Sequence, residues 1–318
     1  MEGKVKLNNK IILAIETSCD DTSIAIFNND KLLSLYALST LKEFRKWGGI
    51  VPEIAARGHE GALYEVCSKA IEMSGIKIND ITHIAYTAEP GLPGSLHVGK
   101  VFAKTLAYSL DVPLVPVNHM LGHVFSYAIG DAQQIKFPFI CLVASGGHTS
   151  LYKFTSAIDY EILNETADDA IGEALDKIGR MLNLEYPGGV SIDKQYNPSR
   201  TNYKLIDHRA PNEPFSFSGL KTHILNEINI CKMKNKQIDV ELLASSTLKW
   251  VIDDVMGKIK YYATANDISR IVIGGGVAAN SLLRKVLTES EYEWKIPELK
   301  YCGDNGAMIG FYAYLLIK

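Results

Sequence analysis

The sequence predicts an α/β protein built from two lobes of one topology. A strand, polar turn, strand unit opens the chain at Ile11 and is met again from Phe137. Helices and strands alternate after each unit, and each unit places a turn of small or polar residues between its first two strands. A length of 318 residues suits two such lobes.

The elements follow in order. Ile11 to Ile15 is a short apolar run, the polar cluster Thr17, Ser18, Cys19, Asp20 and Asp21 turns the chain, and Thr22 to Phe27 alternates as a second strand. Asn28-Asn29-Asp30 is a second turn signal, after which Lys31 to Leu38 returns. Pro52 can open a helix whose apolar positions recur at Ile54, Ala55, Leu63, Val66 and Ile71 until Gly75 stops it. A strand at 81–87, the loop EPGLPG, a helix at about 96–110 and a strand at 114–117 complete the first half. The second half repeats the order with the strand FPFICLVA, the turn Ser145-Gly146-Gly147, and strands at 148–154 and 159–163. Helices near 168–183 and 242–265, a strand at 269–273 and a helix from about 279 follow, and 187–222 is the least regular stretch.

Two lobes of this kind, each presenting a small-residue hairpin turn to a shared cleft, have the layout of the actin-like ATPase fold of sugar kinases, heat-shock chaperones and actin. The expected division is 1–134 plus a C-terminal helix at 297–318 for one lobe, and 135–296 for the other.

Composition narrows the function. With 47% hydrophobic and 22% charged residues, the chain is neither disordered nor fibrous. Lys plus Arg at 33 against Asp plus Glu at 36 leaves a net charge of -3, so any nucleic-acid contact must come from a local patch. Five scattered cysteines, never spaced as Cys-x-x-Cys, argue against a disulfide framework or a thiolate zinc site and fit a reducing cytosol. Apolar runs such as Phe137 to Ala144 are far below the roughly 20 residues that span a bilayer. The N-terminus MEGKVKLNNK leaves no room for a signal peptide before the first strand, and the expectation is a cytoplasmic protein without a membrane segment.

Three turns are candidate phosphate cradles: Thr17 to Asp21, Ser145-Gly146-Gly147 and Gly274-Gly275-Gly276. Backbone without side chains lets several N–H groups converge on an anion, and a following helix N-terminus adds its dipole. The third has the best context, between the apolar RIVI and the helix-like AANSLLRKVL. His119 and His123, four apart, share one helix face at a spacing that suits two imidazoles on one ion. The zinc-hydrolase pattern would place Glu at 120, where this chain has Met120, so the general base of that chemistry and the metallopeptidase reading are absent. The third ligand must come from elsewhere, and Asp304 in CGDNG is the candidate. In the acidic run Glu165, Asp168, Asp169, Glu173, Asp176, Lys177, the residues Asp169, Glu173 and Asp176 or Lys177 would line one helix face, read most simply as solvated.

These runs resemble the TsaD family of tRNA adenosine threonylcarbamoyltransferases, formerly misnamed glycoprotein endopeptidases. The matching motifs are IETSCDDTS, GGIVPEIAAR, PVNHMLGHV, ASGGHTSL, DDAIGEALDKIGRMLNLEYPGG, FSFSGLKT, GGGVAANSLLR and CGDNGAMIG, in family order over nearly the whole chain. GGIVPEIAAR looks like the bacterial and mitochondrial branch. Departures are Leu121 where the family usually has Glu, Phe44 for His, Glu89 for Gly and Gly303 for Thr.

The resemblance implies an actin-like fold with one divalent metal ion, iron or zinc, on His119, His123 and Asp304. It implies ATP, AMP or threonylcarbamoyl-AMP in the cleft, with the first motif and Ser145-Gly146-Gly147 near the phosphates. Substrate contacts carry over to Val143, Ala144, Ser145, Gly146, Gly147, Asp176, Gly189, Asp193 and Asn280. The implied reaction moves L-threonylcarbamoyl from threonylcarbamoyl-AMP to the exocyclic amine of the adenosine beside the anticodon, in tRNAs reading codons that begin with A. Asp20 is the candidate carboxylate for proton transfer. A small-molecule kinase or carbamoyltransferase on the same fold is the alternative, since fold does not fix function. A scaffold paralogue would have lost the His pair or the glycine loops, and both are present. Implied partners are the tRNA substrate, an upstream threonylcarbamoyl-AMP synthase, and either a TsaB-type paralogue with a TsaE-type ATPase or a second copy in a homodimer. The helix 53–74, with Ala55, Ala56, Gly58, Gly61 and Ala62, is the candidate interface, and Lys42, Arg45, Lys46 and Arg57 are the candidate tRNA patch.

Overall fold

The computed structural model of the chain describes residues 9–39, 44 and 49–317. It divides into two compact units. One holds the described residues up to Phe44, Ile50–Ile135 and the C-terminal segment from Asp304; the other holds Gly49 and Lys136–Gly303.

In the first unit β1 (Ile11–Glu16), β2 (Asp21–Asn28) and β3 (Lys31–Ser39) form an antiparallel meander. β4 (His83–Glu89) then pairs parallel with β1, and β5 (Leu114–Asn118) pairs parallel with β4, giving the order β3-β2-β1-β4-β5. Every residue of β1 is buried, which is why it reads as a continuous apolar run and not as an alternation. On one face Leu13 and Ile15 meet Leu63 and Val66 of α1 (Pro52–Ser74) and Ala103 and Ala107 of α2 (Pro93–Leu110). On the other lies α9 (Gly306–Ile317), pressed so close that a Cβ added at Gly310 would sit 2.6 Å from the ring of Phe27 and 3.0 Å from Ala14. That close approach brings the end of the chain back to its first strands.

The second unit repeats the plan. β6 (Phe139–Ala144), β7 (Thr149–Phe154) and β8 (Tyr160–Glu165) form the meander, β9 (Arg270–Gly274) pairs parallel with β6, and β10 (Glu293–Lys295) pairs parallel with β9. The order β10-β9-β6-β7-β8 mirrors that of the first sheet, as the repeated unit predicts. Helices α4 (Ile171–Met181), α5 (Gly188–Gln195), α6 (Ser218–Met233) and α7 (Val240–Asn266) lie between β8 and β9, and α8 (Ser281–Thr288) follows β9. Ile140 and Leu142 of β6 share one core with Leu175, Ile178, Leu220, Ile224, Leu248 and Val251.

The structure departs from the sequence reading in identifiable places. The irregular stretch 187–222 contains α5 and the start of α6, and β10 was not expected. The start of α6 is hidden from local reasoning because its cap comes from far away: Asp168 accepts from the Phe217 and Ser218 amides at 2.8 and 3.3 Å and from the Ser216 and Ser218 hydroxyls at 2.6 Å. Asp168 and Asp169 therefore lie outside α4, which starts at Ile171 and not at 168. The expected acidic helix face is corrected to a bridge, in which Asp169 pairs with Lys177 at 2.8 Å and Lys221 at 2.6 Å. The helix expected from 279 begins at Ser281 after a 3₁₀ turn, with Asn280 accepting from the Leu283 amide as its cap. The last helix starts at Gly306, and 297–303 pack with the second unit. All five cysteines are free, and no helix among the described residues is long and apolar enough to cross a membrane.

Four donors outweigh the effect of burial and hold the Asp168 carboxyl below its usual range. Its stabilising contribution is complete above the unfolded carboxylate's range, near pH ~4, and disappears as pH falls through the lower folded-state value. Because Asp168 is exposed, Asp168→Ala is expected to cost about 1 kcal/mol at pH 7. The deficit should narrow below pH ~4, as urea unfolding at several pH values will read.

Candidate functional site

The carboxyl ends of β1, β4 and β5 lie side by side because the strands are parallel, with Ile15 opposite Tyr86 and Thr87 opposite Val117. This register gathers Glu16, Thr87 and His119 into one row, the edge of an α/β sheet where ligands commonly bind. α3 (His119–Phe125) starts there, capped by the Asn118 side chain, which accepts from the Met120 and Leu121 amides. The helical spacing predicted for the His pair is therefore real. α9 delivers Asp304 from the other end of the chain, with Asn305 capping that helix through the Met308 amide.

The three expected ligands converge. His119 Nε2 lies 3.4 Å and His123 Nε2 lies 3.0 Å from the same oxygen, Asp304 Oδ1, and the two rings meet edge to face at 4.7 Å. One ligand atom from each residue lies within 4.8 Å of the others, so His119, His123 and Asp304 form a group that can hold a metal ion. Two imidazoles and one carboxylate suit a borderline divalent cation. Both histidines are buried. Burial opposes charge on His119, but Asp304 and then Glu16 outweigh it and hold the imidazole well above the usual histidine range. Burial likewise opposes ionisation of Asp304, and His119 and His123 hold its carboxyl well below the usual range. His123 Nδ1 is buried without a partner.

Glu16, a member of the IETSCDDTS run, joins the site unpredicted. It is fully buried at the end of β1, 3.1 Å from His119 Nδ1, and it accepts from the Ser18 amide and the Thr87 hydroxyl. A charged residue closing an apolar strand is the signal that could have found it.

The turn from Thr17 to Asp21 is held from several sides. Ser95 Oγ donates to the Cys19 carbonyl at 3.1 Å, and His59 bridges that carbonyl at 3.0 Å and Thr22 Oγ1 at 2.8 Å. Its carboxylates feel one another: burial and then Asp304 raise Asp20, while burial pushes Asp21 up to about 6. A turn rich in carboxylates repels a bare phosphate, which argues against this turn as a stand-alone phosphate cradle. Phe44 and Leu121, two departures from the family pattern, are both buried, and apolar side chains suit those places.

The second unit contains a cavity of about 310 Å³. Of the residues expected to contact substrate, Ser145, Gly146, Asp176, Gly189, Asp193 and Asn280 line it. Val143 and Ala144 are fully buried in β6 and do not, and Gly147 is exposed beside Gly146 outside the lining. Gly172, Leu175, Pro187 and Val190 also line it, and periodicity could not reveal them because α4 and α5 had to be placed first.

Most polar side chains of the cavity also hold the helices around it. Asp176 accepts from the Gly189 amide at 3.0 Å, Asp193 from the Ser281 amide and hydroxyl at 3.0 and 2.8 Å, and Asn280 from the Leu283 amide at 2.9 Å. Burial raises the Asp176 carboxyl, and the Gly189 and Gly188 amides offset part of that.

The glycines divide into two kinds. An added Cβ at Gly146 or Gly276 would meet nothing within 4 Å, whereas at Gly275, whose φ is +86°, it would lie 2.4 Å from the Ala144 carbonyl oxygen. Gly275 serves the packing of β9 on β6, and the open positions face ligand space.

On α1, Ala55 is buried and not free for a partner, and Ala56, half-buried, lies against Gly94 of α2. Gly61 is open, Tyr64 is 80% exposed, and Val101 and Tyr108 of α2 are exposed as well. Arg57 is paired with Glu53 at 3.0 Å, and Lys42, Arg45 and Lys46 lie outside the described residues.

Comparison with known proteins agrees with this architecture. HypF from T. kodakarensis superposes with a TM-score of 0.64 at 14% identity over 97% of this chain and 48% of its own length. A ROK family glucokinase from Streptomyces griseus superposes with a TM-score of 0.52 at 10% identity over 96% of this chain and 98% of its own. At such identities the likeness concerns the fold, which is the actin-like ATPase fold. The curated tRNA N6-adenosine threonylcarbamoyltransferase of Ureaplasma parvum serovar 3 is 46% identical over 311 residues, covering 98% of this chain and 97% of its own. The family model described as TsaD, tRNA N6-adenosine threonylcarbamoyltransferase, matches residues 31–311. With that match across most of its length and a relative so similar from end to end, the chain belongs to the TsaD family.

Proposed function

We propose that this chain transfers the L-threonylcarbamoyl group from threonylcarbamoyl-AMP to the exocyclic amine of the adenosine next to the anticodon, in tRNAs reading A-starting codons. The observation that carries the reading is the convergence of His119, His123 and Asp304 in a chain 46% identical to a threonylcarbamoyltransferase over nearly its whole length. The kinase or carbamoyltransferase alternative is not favoured, because the curated relatives share the transferase name.

The adenosine amine is a weak nucleophile because its lone pair is delocalised into the ring. In the reaction a bond forms between that nitrogen and the carbamoyl carbon, the bond from that carbon to the AMP phosphate oxygen breaks, and the amine loses a proton. His119, His123 and Asp304 would hold one divalent ion, iron or zinc, which supplies Lewis-acid stabilisation of charge developing on the acyl oxygen. Asp20 is our candidate proton acceptor, since burial and Asp304 make it more basic than an ordinary carboxylate. The cavity of the second unit suits the adenylate, with Gly146 and Gly276 leaving backbone open and Asn280 at the N-terminus of α8.

A net charge of -3 offers little general attraction to tRNA. We assign partner contact to Gly61 and Tyr64 of α1 with Val101 and Tyr108 of α2, for a TsaB-type paralogue working with a TsaE-type ATPase, or for a second copy of the chain. A synthase supplying threonylcarbamoyl-AMP acts upstream, and the setting is the cytoplasm.

His119→Ala or His123→Ala is expected to lose the bound metal, and full occupancy in metal analysis of either purified variant would refute the ligand set. Gly146→Val should weaken AMP binding at least tenfold in calorimetry with little change in Tm, whereas Gly275→Val should lower Tm through its clash with β6; unchanged affinity in the first variant would mean that the cradle is misplaced. The whole reading is tested by incubating unmodified tRNA, threonine, bicarbonate, ATP and a synthase, with and without this chain and its partners. Nucleoside mass spectrometry should find threonylcarbamoyladenosine only when the chain is present, and its absence in the complete mixture would overturn the assignment.

A further inference from the structure

We propose that Glu16 is the positioning residue of the His119, His123, Asp304 group, fixing the proton of His119 on Nδ1 so that Nε2 faces the ion. The inference rests on the metal-binding reading and extends it to a residue outside the ligand set.

The argument begins with donors. Glu16 is fully buried, and its two oxygens receive the Ser18 amide, the Thr87 hydroxyl and His119 Nδ1. An ionised carboxylate can only accept, and an amide can only donate. The nitrogen of His119 that faces Glu16 must therefore carry a hydrogen, so a cation that takes the place of a proton between Nε2 and Asp304 Oδ1, 3.4 Å apart, meets the lone pair of Nε2. His123 has no such partner, since its Nδ1 is buried and unmatched while its Nε2 faces Asp304. The two histidines are thus unequal, since only His119 has a carboxylate outside the ligand set behind its Nδ1.

Charge adds a second reason. Glu16 and Asp304 bring two negative charges to a site with two buried imidazoles, and one divalent cation balances them. The backbone enforces the arrangement, because the parallel register of β1, β4 and β5 sets Glu16 beside Thr87 and close to the start of α3. Carboxylate partners of metal-bound histidines act in this way by fixing ring orientation and raising ligand basicity.

The test uses the full chain stripped of metal, with Zn²⁺ affinity read by competition against a chromophoric chelator and folding checked by Tm in EDTA. Glu16→Gln keeps the shape but lets the amide donate to Nδ1, and Zn²⁺ affinity should fall roughly 10- to 100-fold. In ¹⁵N-histidine spectra the His119 pattern should shift toward the Nε2–H tautomer while that of His123 stays. Because Glu16 is fully buried, Thr87→Val provides a second variant, which removes one donor from the carboxylate; it should weaken Zn²⁺ severalfold, with Thr87→Ser restoring wild-type affinity. Glu16→Gln that folds and binds Zn²⁺ as tightly as the wild type would overturn the inference, as would a lowered Tm with the His119 tautomer unmoved. A wild-type chain that binds neither Zn²⁺ nor Fe²⁺ would instead mark failure of the metal reading itself.

Discussion

Two carboxylates and two imidazoles, all but the Asp304 side chain withdrawn from water, must satisfy one another at the carboxyl end of the first sheet, and much of the first unit is arranged so that they can. An isolated buried charge is costly, so Glu16 and Asp304 persist as ions only because His119, His123, the Ser18 amide and the Thr87 hydroxyl surround them. The demand reaches outward. His59 and Ser95 hold the Cys19 carbonyl and with it the turn after β1, and α9 packs tightly enough on β1 and β2 to bring Asp304 within reach. Such a cluster is expensive as pure architecture, since apolar residues would fill the same volume at lower cost, and its presence is best understood through the cation it can hold.

The second unit solves a different problem with the same sheet order. Its cavity is bordered by the starts of α5 and α8, and the side chains that reach it are already committed to backbone amides. Asp176, Asp193 and Asn280 therefore shape the cavity as much as they offer contacts, and a ligand meets a wall whose polar groups are held in place. Gly275 and Gly146 show how one residue type serves both ends: the first lets β9 lie against β6, the second leaves backbone bare toward the cavity.

Much of this was legible without coordinates. The repeated strand-turn-strand unit predicted two lobes of one topology, and the apolar run of β1 announced a strand buried on both faces. His119 and His123 were readable as a pair because four-residue spacing on a helix is a local property. Less legible were α6, whose cap is supplied by Asp168 from about fifty residues away, and the acidic run, whose members separate into a cap, a bridge and a cavity wall. The charge closing the apolar run of β1 marks Glu16 as unusual, but its partners depend on which strand lies next to β1.

The sequence by itself determined the fold class, the family and the identity of the three candidate ligands, because periodicity, turn chemistry and motif order are written along the chain. Only the tertiary structure decided that Glu16 and Thr87 stand behind His119, that Val143 and Ala144 belong to the core and not to the cavity, and that Gly275 is a packing residue. The physical reason is common to all three. Parallel pairing and helix-on-sheet packing join residues far apart in the chain, and a strand's own pattern records neither which strand lies beside it nor in which register.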